Sequence, residues 1–126
     1  MANQGQGWDE SYTISEDLSA KQFFCMKEGT TTGSVLLADT AGGDVVGILQ
    51  DTGLNGSTNA AHALVRTSGE SKCKIGGTIT NGNPLQADSD GMAIVATTAD
   101  LVFGKALESG VDGDIIRCQL GYAGIF

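Results

Sequence analysis

The sequence has little positive charge and no long apolar run, and both shortages exclude classes of function. Seven Lys and Arg residues stand against 15 Asp and Glu residues, which gives a formal net charge of −8. Because an acidic surface repels phosphate groups, this balance argues against a nucleic acid partner and against an anionic membrane. No apolar run approaches the roughly 20 residues of a membrane helix, and residues 1–13 do not resemble a signal peptide.

Cysteine is scarce, and its spacing excludes the usual cysteine sites. The three residues Cys25, Cys73 and Cys118 are an odd number and lie far apart, which argues against a disulfide framework and against a zinc knuckle. Each lies among apolar or alternating residues, so we expect small buried side chains in a protein that folds in a reducing compartment.

No catalytic, metal or cofactor motif is present. His62 is the only histidine, and it has no acid–base partner close in sequence, as Cys–His catalysis would need. Residues 88–91 (DSDG) resemble the start of a calcium loop but lack its later acidic ligands, and residues 112–114 (DGD) are no closer, so both indicate acidic turns. Neither glycine-rich nucleotide motif occurs. We therefore expect a protein without enzymatic activity that binds partners by shape.

Glycine, in contrast, is abundant, with 19 residues spread along the chain as turn signals. Between them lie nine short apolar or alternating runs, at residues 22–27, 34–38, 45–50, 61–67, 71–76, 78–80, 92–97, 101–107 and 114–120. This spacing predicts a mainly β fold, a small sandwich or barrel of about nine short strands in a single domain over residues 14–126. In two runs the alternation is clear: Cys73 and Ile75 should face the core, as should Ile116, Cys118 and Leu120.

The chain contains a possible internal echo between residues 33–66 and residues 82–117. Residues 33–42 share Gly, Leu, Ala, Asp and Gly with residues 82–91 at a constant offset, and VGIL at 46–49 echoes FGKAL at 103–107. Val65-Arg66 likewise echoes Ile116-Arg117. The echo indicates one small β unit used twice, although glycine-rich β chains also resemble one another without duplication.

The two ends of the chain contain apolar side chains that need a partner. Residues 1–13 form a flexible N-terminal arm rich in Gly and Gln, yet the arm contains Trp8 and Tyr12, which are unfavourable to leave in water. Either the arm docks on another chain or it folds back on its own domain. The apolar C-terminal tail should be buried at an edge or interface. The candidate contact residues are Trp8, Tyr12, Ile14, Ile125 and Phe126.

Several short motifs occur in a fixed order between residues 15 and 121. They are Asp17-Leu18-Ser19 with Gln22-Phe23 and Lys27, then VGILQ at 46–50, GGTITNGNPL at 76–85, ADSDG at 87–91 and GKALE at 104–108. In this order they resemble the capsid decoration (cement) proteins of tailed phages. The VGIL element also resembles the lambda-type head decoration proteins over a shorter span.

The resemblance implies a mostly β protein on the exterior of the virion capsid, assembled in the host cytoplasm. It would bind the major capsid protein, commonly as a homotrimer, and stabilise the head against internal DNA pressure, with no enzymatic activity and no cofactor. The alternatives are another virion β module, such as a tail tube or fibre base, and a small ligand-binding β barrel. A platform of aromatic side chains is expected for the ligand-binding barrel, yet Trp8 and Tyr12 lie outside the predicted strands, which counts against this alternative.

Overall fold

Nine β-strands make up the regular structure of the residues that the structure describes. The computed structural model describes residues 7–57, 59, 61–97 and 100–125, with the backbone alone for residues 122–125. Among these residues, no helix is long and apolar enough to cross a membrane. The strands are β1 (Gly7–Ile14), β2 (Cys25–Glu28), β3 (Val35–Leu37), β4 (Gly47–Leu49), β5 (Ala61–Lys74), β6 (Pro84–Ala87), β7 (Ala93–Val95), β8 (Leu101–Ala106) and β9 (Ile115–Ile125).

All strand pairings within the sheet are antiparallel. The order is β3-β2-β4-β5-β9-β8-β6-β7, with β1 as a further neighbour of β5. The sheet curls into a half-barrel, which confirms the predicted mainly β, barrel-like fold.

The observed strands differ in detail from the predicted ones. The runs at 61–67 and 71–76 join into the single 14-residue strand β5. Residues 78–80 form no strand, and Ile79 makes only an isolated bridge to Gly110. Two strands, β1 and β6, were not predicted. β6 begins at Pro84 and is four residues long, too short to show alternation, and β1 is polar over most of its length.

Side-chain alternation divides the core into two clusters. Along β2, Cys25 belongs to the cluster beneath β5, β9, β8 and β6, whereas Met26 belongs to a second cluster beneath β1, β3 and β4. The predicted inward residues are confirmed: Cys73 and Ile75 are fully buried, and Ile116, Cys118 and Leu120 are at most 4% exposed. A short strand that is buried on both faces lacks an amphipathic pattern. This burial explains why the sequence around the start of β2 is a continuous apolar run.

The two halves of the sheet share one strand order. In β2–β5 and in β6–β9, the first two strands form a hairpin, the third pairs with the first, and the fourth pairs with the third. Gly47 and Gly104 occupy equivalent places in the two halves, because each lies against the backbone of the fourth strand. A Cβ at Gly47 would overlap the carbonyl oxygen of Arg66, and a Cβ at Gly104 would overlap that of Gln119. By strand order, β6 is the counterpart of β2. The sequence echo, in contrast, aligns residues 33–42, which contain β3, with residues 82–91, which contain β6, so it does not match the structural equivalence of the two halves.

The long strand β5 connects the two halves, and it changes partners at Gly69. This glycine has a φ of +89° and pairs both with Gly7 of β1 and with Leu120 of β9. Before Gly69, the strand lies between β1 and β4, and after it β5 pairs with β9. β9 leaves β5 at Gly121, where φ is +82°. The first strand and the last strand therefore meet at one point of the sheet.

Candidate interaction surface

Within the described part of the chain, the outer edge of β1 is paired only at Thr13. The Thr13 amide donates to the Gly33 carbonyl at 2.9 Å, and Thr13 forms an isolated parallel bridge with Ser34. Because hydrogen-bonding directions alternate along a strand, the backbone groups of Asp9 and Ser11 face the same outer edge as those of Thr13. Among the described residues, no strand pairs with this edge beyond Thr13. Such an edge is a template for pairing with another chain.

A forked ion pair holds β1 on β5. Asp9 lies opposite Arg66 in the strand register, and its two carboxylate oxygens accept from Arg66 Nε at 2.7 Å and Nη2 at 3.2 Å. The remaining Nη1 donates to the Glu70 carbonyl at 3.0 Å. The hydrogen bond to Asp9 raises the pKa of Arg66 above its ordinary value. The fork fixes the start of β1 where a bulge shifts the register between Trp8 and Asp9.

The predicted boundary of the arm at residue 13 does not match this strand. β1 begins at Gly7 and pairs with β5 of the same domain. Residues 7–13 therefore fold back on their own domain, which was one of the two alternatives for the arm. A polar strand can be stable here because its pairing with β5 satisfies its backbone groups. Residues 1–6 of the predicted arm lie outside the described part of the chain.

The candidate contact residues of β1 differ in exposure. Trp8 is 66% exposed, the most exposed of the large apolar residues described. Ile14 is fully buried in the second core cluster, so its proposal as a contact residue was wrong: packing inside its own domain leaves no surface for a partner. Of the two, only Trp8 is available to another molecule.

Tyr12 is half-buried beside the second core cluster. Together with Glu28 and the Thr-rich turn at residues 29–34, it lines a cavity of about 190 Å³. Burial raises the pKa of its hydroxyl, and the nearby carboxylates of Glu10 and Glu28 raise it further. The phenol is therefore neutral at physiological pH and is available as a hydrogen-bond donor at the rim of the β1 edge.

An apolar cleft of about 240 Å³ opens between β4 and the β8–β9 pair. Thr67 of β5 lines it, as do Val46, Phe103 and Leu120, and Leu101 at its side is 40% exposed. The cleft forms because β9 leaves β5 at Gly121. Its lining comes from four separate segments, so no sequence signal indicated it.

Two predicted contact residues belong to the end of the chain. The backbone of Ile125 pairs with Leu101 at the start of β8, which places this part of β9 at a sheet position beside the cleft. The Ile125 side chain lies outside the described set, and Phe126 lies outside the described residues altogether. Their role as contacts stays a prediction.

The residues considered for catalysis differ in exposure. His62 is exposed on β5, opposite Thr13 of β1. Cys25, Cys73 and Cys118 are free thiols with no exposed surface, and burial raises the pKa of the Cys25 thiol well above its ordinary value. The prediction that the three cysteines are buried apolar side chains is confirmed. Among the described residues, no group of three His, Cys, Asp or Glu side chains is arranged to hold a metal ion.

The acidic sequence at 88–91 is the turn between β6 and β7. One oxygen of Asp88, Oδ1, accepts from the amides of Asp90 at 2.8 Å and Met92 at 2.9 Å. Gly91 has a φ of +83°, and its carbonyl accepts from the Cys25 amide at 2.7 Å. The carboxylate therefore closes a turn that anchors β2, which is the role expected of an acidic turn.

Comparison with known proteins identifies a structural neighbour. The sequence matches no protein-family model and no curated protein. Its fold is similar to the crystal structure of the N base of the head fibre gp8.5 of bacteriophage phi29, with a TM-score of 0.63 and 16% sequence identity. The match covers 90% of this chain and 95% of the phage chain. At this identity the likeness is one of fold.

Proposed function

We propose that the protein is a structural component of a tailed-phage head, and that it binds the outer surface of the assembled capsid and stabilises it. The observation that carries this proposal is the fold shared with a phage head fibre base over 90% of the chain. The ordered motifs between residues 15 and 121, which resemble capsid decoration proteins, support it independently. The two lines of support differ in kind, since one is structural and the other rests on sequence.

The exposed features fit a protein that binds a repeating lattice. The outer edge of β1 presents free backbone groups, and Trp8 beside it offers a large apolar surface. A contact of this size is weak by itself, but many copies on one shell share the task of holding neighbouring subunits together. Stabilisation of the head therefore requires no large interface per copy.

A homotrimer is the oligomer that the resemblance implies. The junction at Gly69, where the first and last strands meet, lies beside the apolar cleft. If a second copy of the chain packs against the cleft, the interface covers the exposed Leu101. We place the subunit contacts at this cleft.

The proposed role is not enzymatic and needs no cofactor. His62 is exposed to solvent on β5, while the three thiols are fully buried. A nucleophile and its base must lie within hydrogen-bonding reach, and the contrast between an exposed imidazole and fully buried thiols argues against a Cys–His pair.

A second candidate is the base of a fibre attached to the head, and the description of the phi29 neighbour favours it. Both candidates bind a head, but a fibre base also carries a further fibrous part. In thin-section or negative-stain images a fibre base would project from the head, whereas a decoration protein would coat it evenly.

Binding to undecorated heads tests the proposal. Purified protein is mixed with expanded heads that lack it, and bound protein is quantified after sedimentation across a range of concentrations. We expect saturable binding at a fixed number of copies per head, and a rise in the temperature at which the heads release their DNA. Absence of binding to every head form would contradict the proposal.

A further inference from the structure

Positive charge is concentrated on one face of this acidic protein. Five of the seven basic residues lie on β5, β9 and β8, and we call them the basic face. Lys72, Lys74, Lys105 and Arg117 alternate with core residues and point outward, and Arg66 lines the same groove as Lys72 and Arg117. Three carboxylates accompany them, from Asp9, Glu70 and Glu108. Five cations against three carboxylates leave the face with a net charge of +2, while two cations against twelve carboxylates leave −10 elsewhere.

The strand register sets these side chains in neighbouring rows. Lys72 of β5 lies directly opposite Arg117 of β9, and Lys105 of β8 lies opposite Gln119, which is itself opposite Glu70 of β5. Adjacent strands lie about 4.8 Å apart and successive outward residues about 6.6 Å apart. The cations therefore cover a compact patch across three strands at the middle of the sheet.

Part of the basic face is neutralised within the chain, and part is not. Arg66 binds Asp9, and Arg117 Nη1 binds Glu70 Oε2 at 2.8 Å. In contrast, Lys72, Lys74 and Lys105 form no ion pair with any described residue. A groove of about 240 Å³ runs between Arg66, Lys72 and Arg117. The face therefore offers the Lys72 ammonium at the groove, beside two guanidinium groups that form ion pairs, and the unpaired Lys74 and Lys105 nearby.

This arrangement works against the stability of the isolated domain. Like charges directly opposite each other on paired strands are destabilising. Lys72 and Arg117 are such a pair, and the ion pair between Arg117 and Glu70 offsets only part of the repulsion. Of the 15 carboxylate side chains of the sequence, three form ion pairs with these cations among the described residues. A partner that brings negative charge would relieve the repulsion.

We propose that the basic face is the docking surface for an acidic surface of another protein, which in the assembled head is the capsid shell. That the partner is the capsid shell rests on the proposed function, whereas the acidic character of the partner's surface rests on the charges of the basic face. A protein partner fits better than nucleic acid, because the net charge of −8 repels a polyanion at long range. Complementary charge on a patch of this size sets orientation and speeds association.

Matched charge reversals test the proposal on a defined probe. A labelled polyglutamate peptide is titrated with the protein at low salt and its fluorescence anisotropy is measured. The variants Lys72→Glu and Lys105→Glu are compared with Lys21→Glu. The control suits Lys72 well, because each ammonium lies over a phenylalanine ring, at 4.8 Å for Lys21 and 5.8 Å for Lys72. Only the position of the charge then differs, and thermal unfolding shows whether each variant remains folded.

The basic face predicts that each of the two reversals weakens peptide binding about tenfold, and that Lys21→Glu weakens it less than twofold. The order of the variants should be the same for binding to heads. Equal losses for Lys21→Glu, or tighter binding to a DNA duplex than to polyglutamate, would overturn the proposal. If heads bind the wild type and the Lys72→Glu variant equally, the docking face is refuted while the head-binding function stands. If heads are not bound but the peptide order holds, the function fails and the face stands.

Discussion

A methyl group added at Gly47 or at Gly104 should force apart two strands at equivalent places in the two halves. A Cβ at Gly47 would overlap the Arg66 carbonyl oxygen and lie 2.9 Å from its carbon, and a Cβ at Gly104 would overlap the Gln119 carbonyl oxygen and lie 3.2 Å from its carbon. In both cases the obstacle is backbone, which cannot rotate away as a side chain can. The third and fourth strands of the half must therefore separate.

The expected loss follows from the cost of overpacking. Inserting a methyl group into a well-packed site destabilises by about 1–3 kcal/mol, and a clash with backbone lies at the upper end, so we expect about 2–3 kcal/mol for either substitution. For a domain of 126 residues, each kcal/mol lowers the melting temperature by about 3–5 °C. Gly47→Ala and Gly104→Ala should each lower it by about 6–15 °C.

Thermal unfolding followed by circular dichroism measures both variants, with Gly77→Ala as the control. At Gly77, the nearest atom to an added Cβ is Ile94 Cγ2 at 3.9 Å, an ordinary contact, so this variant should be unchanged or slightly stabilised. A loss of less than about 0.5 kcal/mol at Gly47 and Gly104 would refute the close approach of the strands. A large loss at only one of them would refute the equivalence of the two halves.

Three further predictions concern the anchor of β1, the core and the exposed tryptophan. Asp9→Ala removes both hydrogen bonds to Arg66, so the local opening of β1 measured by hydrogen exchange should increase about fivefold, which corresponds to about 1 kcal/mol. The control is Asp39→Ala, which breaks a more exposed ion pair and should change the opening of β1 little. Cys118→Ser places a hydroxyl in a fully buried site and should destabilise by about 1–2 kcal/mol in urea unfolding. Trp8→Ala should leave stability within about 0.5 kcal/mol and weaken sedimentation with heads several-fold.

Each of these predictions has a result that contradicts it. Equal exchange in the Asp9 and Asp39 variants would mean that the fork does not hold β1. A neutral Cys118→Ser variant would mean that the inward face of β9 is assigned wrongly. Unchanged binding to heads after Trp8→Ala would remove Trp8 from the contact surface.

The sequence predicted those parts of the fold that depend on local pattern. Alternation along residues 71–76 and 114–120 assigned Cys73 and Cys118 to the core, and burial confirms both. The turn signals also located most strands, since glycine and acidic residues mark where each one ends. Local pattern was sufficient wherever a strand has one buried and one exposed face.

The sequence did not predict features that depend on distant partners. β1 is polar, and its stability comes from pairing with β5 some 50 residues later in the chain, so composition alone made it a flexible arm. The same pairing buries Ile14. Gly69 looked like a break between two strands, because a turn signal does not show that β5 continues past it with a new partner. The cleft and the basic face likewise need the strand order, which periodicity does not contain.

We propose that this protein occupies the outside of a phage head, and cryo-electron microscopy of undecorated heads incubated with the protein can show whether it does. We expect density for a half-barrel domain at regular lattice positions on the outer surface, with the face formed by β5, β9 and β8 turned toward the shell. Heads that remain bare at saturating protein, or density confined to the tail, would contradict it.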